Sequence, residues 1–311
     1  MKYFITGGAG FIGSHLAKEL LKEGKVTVYD NLSLGRRALI RDLEKNEKFR
    51  FIRGDLKNLK KLKRAIAGHD VVFHLAANSD ISKGAKYTDI DLKNGTIATY
   101  NVLEAMRIND IKKIVFSSSS AIYGEAKKMP TSEDYGPLFP ISLYGASKLA
   151  SEALISAFCH NYDMQAWIFR FANIVGSHGT HGVIIDFIRK LRRNPKELEV
   201  LGNGKQAKPY LHVSDCVFGI IYGFKHSNEQ LNFFNLGCRG NTSVKKIAEN
   251  VIKRMGLKKV KIIYTGGKRG WKGDVPIVSY NVSKIEQIGW KARHSSDDAV
   301  KIAIKELIEE K

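Results

Sequence analysis

The chain is most constrained at its start, where the short apolar run Lys2–Thr6 leads into Gly7-Gly8-Ala9-Gly10-Phe11-Ile12-Gly13. Glycines at this spacing serve a tight turn, a close backbone approach to a pyrophosphate and a tight helix contact, and each of these excludes a Cβ. Apolar residues at helical spacing follow over 11–21, and 26–29 reads as a second strand, so the opening segment is a β-α-β unit. A helix entered through such a turn presents the N–H groups of Gly10, Phe11 and Ile12, with a partial positive charge, to an anion.

The same alternation continues, with strands predicted at 50–53, 71–74, 113–117 and 165–169 and helices around 96–109 and 149–162. Strands separated by helices imply a parallel, doubly wound α/β sheet of Rossmann type. Beyond Asn173 the segments shorten, with helices predicted at 182–193, 214–226, 243–255 and 296–309. The expected organisation is a dinucleotide-binding domain over 1–175 and a smaller, partly interleaved substrate lobe over 176–311, some of whose segments return to the first domain. Asp30 closes the second strand, where a carboxylate accepts the adenosine ribose hydroxyls and repels a 2′-phosphate. With the glycines before it, this favours NAD over NADP. Arg36 and Arg37 lie close behind, and a turn-forming Asp is the competing reading.

Lys and Arg number 51 against 31 Asp and Glu, a net charge of +20. Such a field attracts phosphorylated ligands, nucleic acid and anionic membranes alike. The basic residues (57–63, 189–193 and 253–261) are scattered at helical spacing without Arg/aromatic interleaving, so they read as solvated helix faces and nucleic-acid binding is disfavoured. Cys159, Cys216 and Cys238 form no CxxC pair, which indicates neither a disulfide framework nor a metal site. With no long apolar run and no signal-peptide pattern, a cytoplasmic protein without a membrane partner is expected.

Tyr144-Gly-Ala-Ser-Lys148 opens a predicted helix and puts a phenol and an ammonium on one face, a turn apart. The ammonium is expected to lower the phenol's pKa towards neutrality, as an acid/base for hydride chemistry requires. A chain with twelve tyrosines produces this pattern by chance, and an exposed helix start is the alternative. Ser117-Ser118-Ser119-Ser120 strengthens it by ending a predicted strand on the edge where open α/β sheets bind ligands; serines capping a turn are the competing reading.

Taken together, these residues resemble the extended short-chain dehydrogenase/reductases, and within them the nucleotide-sugar epimerases of the UDP-galactose (UDP-glucose) 4-epimerase type. The resemblance spans nearly the whole chain. It rests on residues 6–15, Asp30-Asn31, Gly54-Asp55, His74-Leu75-Ala76-Ala77, residues 116–124 and 144–148, Arg170-Phe171-Ala172-Asn173 and Tyr210-Leu211-His212-Val213. It implies that Asn31, Asp55 and Leu56 lie at the adenosine end of the cofactor, that Ala76 and Ala77 border it, and that Asn94 stands behind the active site. Lys148 is then also a ligand of the nicotinamide ribose. Ser119, with Ser120 beside it, is placed at the sugar 4-hydroxyl, whose proton Tyr144 removes as C4 is oxidised. The related 4,6-dehydratases carry an Asp-Glu pair where this chain has Ser120 and Ala121, and the UDP-glucuronate decarboxylases a Glu at Ala121, so both reactions are disfavoured.

On the substrate side the resemblance implies Asn173 at the diphosphate, Lys208 in place of a phosphate-holding arginine, and Arg269, Trp271 and Asp274 near the nucleotide. Trp271 stands where the family shows an arginine; a lid core and stacking on a base or sugar are both open readings. His178 and His181 read as loop residues, and Val278 falls where the family lines the N-acetyl side of the sugar. The expected function is 4-epimerisation of a UDP-hexose by a homodimer holding NAD. The alternatives are another NAD-dependent nucleotide-sugar dehydrogenase, reductase or decarboxylase of the family, and a non-catalytic dinucleotide-binding regulator.

Overall fold

The computed structural model describes residues 1–270 and 273–310, apart from the Ser82 side chain. It contains two compact units. The first comprises Met1–Gly124, Gly136–Phe171 and Ile220–Phe234 and the second Glu125–Tyr135, Ala172–Gly219 and Asn235–Lys311, so both are discontinuous in sequence.

A seven-stranded sheet organises the first unit. Its strands are β1 (Lys2–Thr6), β2 (Lys25–Asp30), β3 (Phe49–Arg53), β4 (Val71–His74), β5 (Lys113–Ser119), β6 (Gln165–Phe171) and β7 (Leu231–Leu236), in the order β7-β6-β5-β4-β1-β2-β3. β1 pairs in parallel with both β2 and β4, with Thr6 opposite Tyr29 on one side and His74 on the other. The winding direction therefore reverses between β1 and β4, and the chain leaves their C-terminal ends in opposite directions, opening a crevice. All four residues of β4 are buried, as expected where helices cover both faces of a parallel sheet. Those helices are α1 (Phe11–Leu20), α2 (Leu59–Ile66), α3 (Ile81–Lys86), α4 (Ala98–Ile108) and α5 (Leu143–Tyr162). Phe4, Val72 and Ile114 of the sheet share a core with Leu62 of α2, Met106 of α4 and Ile155 of α5.

α5 starts at Leu143, one residue before the Tyr144 that the sequence places at a helix start and six before the apolar period beginning at Leu149. The Ser142 hydroxyl caps it by accepting the Gly145 N–H at 3.0 Å, a local interaction that does not depend on burying an apolar face. Tyr144 and Lys148 are thereby placed within the first two turns of a rigid 20-residue helix.

The second unit contains α6 (Val183–Arg193), the start of α7 (Val213–His226), α8 (Val244–Arg254), α9 (Ser283–Gln287) and α10 (Ser296–Glu309). Small two-stranded ladders accompany them, including Asn173–Val175 beside Tyr210–His212 and Ala207–Lys208 beside Thr242–Ser243. Its core gathers Phe187 and Leu191 of α6, Ile247 and Val251 of α8, and Val300 and Ile304 of α10. The basic run 253–261 is not one helix face: α8 ends at Arg254, Gly256 and Lys259 take positive φ, and a strand begins at Lys261.

A Cβ on Gly13 would lie 2.2 Å from the Gly7 carbonyl oxygen and 2.7 Å from the Gly8 Cα, both backbone atoms. Gly13→Ala should therefore lower stability by about 1–3 kcal/mol, the usual cost of overpacking, and weaken NAD binding with it. Urea denaturation and NAD titration check this; an unchanged midpoint with unchanged affinity would show that the turn opens without cost.

Candidate active site

β1 ends in the crevice, and the glycine turn follows. Gly7 has φ +69°, and a Cβ there would meet the Ala76 backbone nitrogen at 2.7 Å, so this strand end and the one after β4 approach backbone to backbone. The Gly10 N–H donates to the Gly7 carbonyl at 3.1 Å inside the turn. Gly10 is thus not among the free donors that the sequence reading assigned; the first-turn N–H groups without an intrahelical acceptor are those of Phe11, Ile12 and Gly13. The first turn of α1 carries no acidic residue to offset them, which suits an incoming pyrophosphate.

Asp30, at the end of β2, is 7% exposed. Its Oδ2 accepts the Ala9 N–H at 3.1 Å and its Oδ1 the Leu32 N–H at 2.8 Å, so the carboxylate is aimed by the backbone. Burial pushes its pKa up, and these two N–H groups oppose the shift. Beside it the Asn31 amide donates to Asp55 Oδ2 at 3.2 Å, and Leu56 is buried in the core. Below the crevice the fully buried His74 bridges the hydroxyls of Thr6 (2.7 Å) and Thr99 (3.0 Å). Burial drives its pKa down to about 3, so the ring is neutral. Thr6 in turn accepts the Ala76 N–H at 3.2 Å, which positions Ala76 and, after it, Ala77. The cradle closed to Cβ atoms, the free N–H groups and the aimed carboxylate together fit a dinucleotide.

Ser119 ends β5, and its hydroxyl accepts the Ala121 N–H at 3.2 Å; Ser120 begins the short helical turn Ser120–Tyr123. On α5 the Lys148 ammonium donates to the Ser117 carbonyl at 2.5 Å and lies 4.7 Å from the Phe116 ring centre and 5.8 Å from that of Tyr144. Burial pushes the Tyr144 phenol up to about 12; a hydrogen bond with Ser119 opposes this and the Asp91 carboxylate adds to it. The expected fall towards neutrality is therefore not produced by the lysine. Lys148 is itself desolvated, with its pKa pushed down to about 8, and its ammonium is directed at a carbonyl.

Three charged groups around this pair were given no role in the sequence reading. Glu152, one turn beyond Lys148 on α5, forms a buried ion pair with Arg170 at 2.8 Å and accepts the Ser118 hydroxyl at 2.5 Å. Arg170 also donates to the Tyr123 hydroxyl at 3.0 Å. Asp91, 2% exposed, accepts the Asn78 amide at 2.9 Å through Oδ1, while its Oδ2 has no partner. The i, i+4 spacing of Tyr144, Lys148 and Glu152 is a sequence signal from which Glu152 could be read. Asn94 lies half-buried in the π-helical turn Leu92–Ile97, and the group near that turn whose charge reaches Tyr144 and Lys148 is Asp91.

In the second unit, Asn173 opens a strand paired with Tyr210. The Lys208 ammonium contacts Asp274 Oδ1 at 2.5 Å. Arg269 donates to the Asp274 carbonyl at 2.8 Å and also pairs with Glu125. The Gly270 N–H donates to Asp274 Oδ2 at 3.1 Å. Lys208, Arg269 and Asp274 thus form one cluster, whereas Trp271 and Lys272 lie outside the described residues. Among the described residues no group of acidic, His or Cys side chains is arranged to hold a metal, and no helix is long and apolar enough to cross a membrane.

A dinucleotide cradle beside a Ser/Tyr/Lys group defines an NAD-dependent oxidoreductase-type enzyme site. The chain belongs to the NAD dependent epimerase/dehydratase family, whose model matches residues 3–237. It is 30% identical to the UDP-glucose 4-epimerase of Lactobacillus helveticus over 331 residues, covering 98% of this chain and 96% of that one. A crystal structure of a UDP-galactose 4-epimerase superposes with a TM-score of 0.88 at 36% identity, covering 100% of this chain and 99% of the other. The UDP-glucuronic acid 4-epimerase of Bacillus cereus, solved with UDP-glucuronic acid and NAD, superposes with a TM-score of 0.90 at 27% identity, covering 99% of each. The cofactor is NAD.

With its folded pKa at about 8 against an ordinary 10.5, Lys148 binds fewer protons in the folded than in the unfolded chain between those two values. Stability then rises with pH across that window and is least below it. Compared with Lys148→Met, the parent should gain about 3 kcal/mol between pH 8 and 10.5. Paired denaturation curves at several pH values measure this, and a stability difference constant with pH would show that Lys148 keeps its ordinary proton affinity.

Proposed function

We propose that this enzyme is a nucleotide-sugar 4-epimerase acting on a UDP-hexose of the UDP-glucose/UDP-galactose type. The observation that carries the reading is the Ser119–Tyr144–Lys148 group at the C-terminal edge of β5, next to Ser120 and Ala121. It can move one proton, and these two neighbours supply neither the acid nor the base that elimination of water needs. The 4-epimerases among its relatives support the reading; those acting on uronic acids leave the choice of sugar to experiment.

In this mechanism Ser119 bonds the sugar 4-hydroxyl and Tyr144 takes its proton, holds it while C4 is a ketone, and returns it to the same oxygen once the sugar has presented its other face. Lys148 binds the nicotinamide ribose. Bound NAD supplies the reversible hydride acceptor, together with a cationic ring that lowers the proton affinity of Tyr144. Phe11, Ile12 and Gly13 hold the pyrophosphate, Asp30 and Asn31 the adenosine ribose, Asp55 and Leu56 the adenine, and Ala76 and Ala77 flank the cofactor. Asn173, Lys208 and Arg269 bind the diphosphate, with Asp274 orienting the two cations. We likewise infer a homodimer formed through the outer faces of α4 and α5, where Tyr100, Ile108 and Tyr162 are 44%, 47% and 40% exposed. A monomer in sedimentation at micromolar concentration would overturn that assembly.

The test is incubation of the purified enzyme with a panel of nucleotide sugars without added NAD, with the C4 configuration followed by NMR. Interconversion of UDP-glucose and UDP-galactose is expected; release of a 4-keto-6-deoxy sugar would refute the reading. Tyr144→Phe should keep the fold and NAD while slowing turnover by roughly a hundredfold or more. Ser119→Ala should cost less, and the double variant less than the product of the two, since both groups act on one proton.

A further inference from the structure

Asn173 opens the short strand Asn173–Val175, whose parallel partner Tyr210–His212 is equally short. An isolated ladder of two strands is marginal at best, so the position of Asn173 is set by what grips the two ends of its strand. The entry is fixed by backbone bonds: Ala172 donates to the Leu236 carbonyl at 2.9 Å and Asn173 to the Pro209 carbonyl at 3.3 Å. On the exit side Gly176, with φ +147°, runs so close to His212 that a Cβ would lie 3.3 Å from Nε2. His178 then takes φ +68°, a left-handed conformation uncommon outside glycine.

The end of α10 grips this exit. Glu306 Oε2 accepts the Ser177 N–H at 2.8 Å and meets His212 Nε2 at 3.2 Å, and Glu310 Oε2 accepts the His178 N–H at 3.0 Å. The Ser214 N–H donates to His212 Nδ1 at 3.3 Å, so Nε2 carries the ring proton and donates to Glu306. One carboxylate oxygen therefore joins the strand beside Asn173–Val175 to the loop that follows it. The other end of α10 holds the same neighbouring strand, since Ser296 Oγ accepts the Tyr210 N–H at 3.1 Å.

Local helix energetics oppose this placement. A helix C-terminus carries partial negative charge and favours cations, yet the last turn of α10 holds Glu306 and Glu309 and no basic residue. Glu309 is answered by Arg254 of α8, whereas Glu306 reaches His212 and the loop. A carboxylate set against its own helix dipole marks a position whose task lies outside that helix.

We propose that Glu306 is a positioning residue for substrate binding, fixing the strand that bears Asn173 and the loop after it in the conformation that receives the diphosphate of the nucleotide sugar. The proposal rests on the assignment of Asn173 to the diphosphate made above. Glu306 acts through Asn173 by pre-organisation, so its loss weakens ground and transition states alike.

The NAD-loaded full-length enzyme is titrated with UDP by calorimetry, and turnover of UDP-galactose is measured beside it. In Glu306→Ala the UDP affinity should fall roughly fivefold or more and KM rise in step, while kcat and NAD affinity stay within about twofold of the parent. Glu306→Gln keeps an oxygen for the Ser177 N–H and should restore most of the affinity. Arg254→Ala unties the same end of α10 from α8 and should leave UDP binding unchanged. A loss there equal to that of Glu306→Ala, or a parallel fall in kcat and NAD affinity, would assign the effect to general loosening and overturn the proposal. Asn173→Ala separates the two readings. If it weakens UDP binding and Glu306→Ala does not, the diphosphate assignment stands and the proposal falls; if it changes nothing, the assignment fails and takes the proposal with it. Where both weaken UDP binding, the double variant should lose less than the product of the two, because both act through one contact, and a full product would overturn the proposal.

Discussion

The reversal of strand order between β1 and β4 is the constraint on which the rest of the first unit depends. Where one connection turns left and the next turns right, no loop covers the strand ends between them. Gly7 and Ala76 then face each other so closely that a single Cβ does not fit. This closeness requires a glycine at position 7; the turn that follows leaves the N–H groups of Phe11, Ile12 and Gly13 without an intrahelical acceptor, and Asp30 is tied to the same turn through its bond to Ala9. The cofactor cradle is thus a consequence of topology, with only its fine aim left to side chains.

The Tyr144–Lys148 pair raises a different problem, the burial of charge. An ammonium 4% exposed is expensive unless other groups repay its lost hydration. The Ser117 carbonyl does so by direct contact, and Glu152 and Asp91 do so through their fields. Glu152 is in turn neutralised by Arg170, so Lys148 belongs to a chain of alternating charges running from α5 to β6. Tyr144 is pulled the other way, since burial and Asp91 both favour its neutral form. The hydrogen bond with Ser119 opposes both, so the phenol's proton affinity is set by the balance of burial, a neighbouring carboxylate and a neighbouring hydroxyl.

Most of this framework is legible in the sequence because it follows from local rules. The glycine spacing, the period of the strands and helices, and the Tyr-x-x-x-Lys pair all appear within short windows, and β1 to β6 sit within a residue or two of where periodicity puts them, whereas β7 is not among the strands read from the sequence. What escapes is set by long-range contacts or by exceptions to periodicity. The use of the Gly10 N–H depends on a bond internal to its turn, and the proton affinity of Tyr144 on burial that no motif reports. Asp91 comes from the segment leading into the π-helical turn Leu92–Ile97, ahead of the helix predicted around 96–109, where no periodic pattern marks a buried carboxylate.

The second unit is harder to read because its recognition groups are already engaged with one another. Lys208 contacts the largely buried Asp274, and Arg269 spans Asp274 and Glu125. A lysine held in this way is a point charge with a fixed position, which recovers some of the directionality lost when it stands in place of a forked guanidinium. If Lys208 and Arg269 bind a diphosphate as proposed, it shares these cations with carboxylates that already hold them, and affinity then depends on how far the carboxylate field is offset by the rest of this strongly basic chain. With 51 basic and 31 acidic residues, that background favours the anionic ligand at low ionic strength and is screened as salt rises. Ligand selection in this unit is then a balance between neighbouring ion pairs and global charge, a property spread over many residues, which is why no single motif reports it.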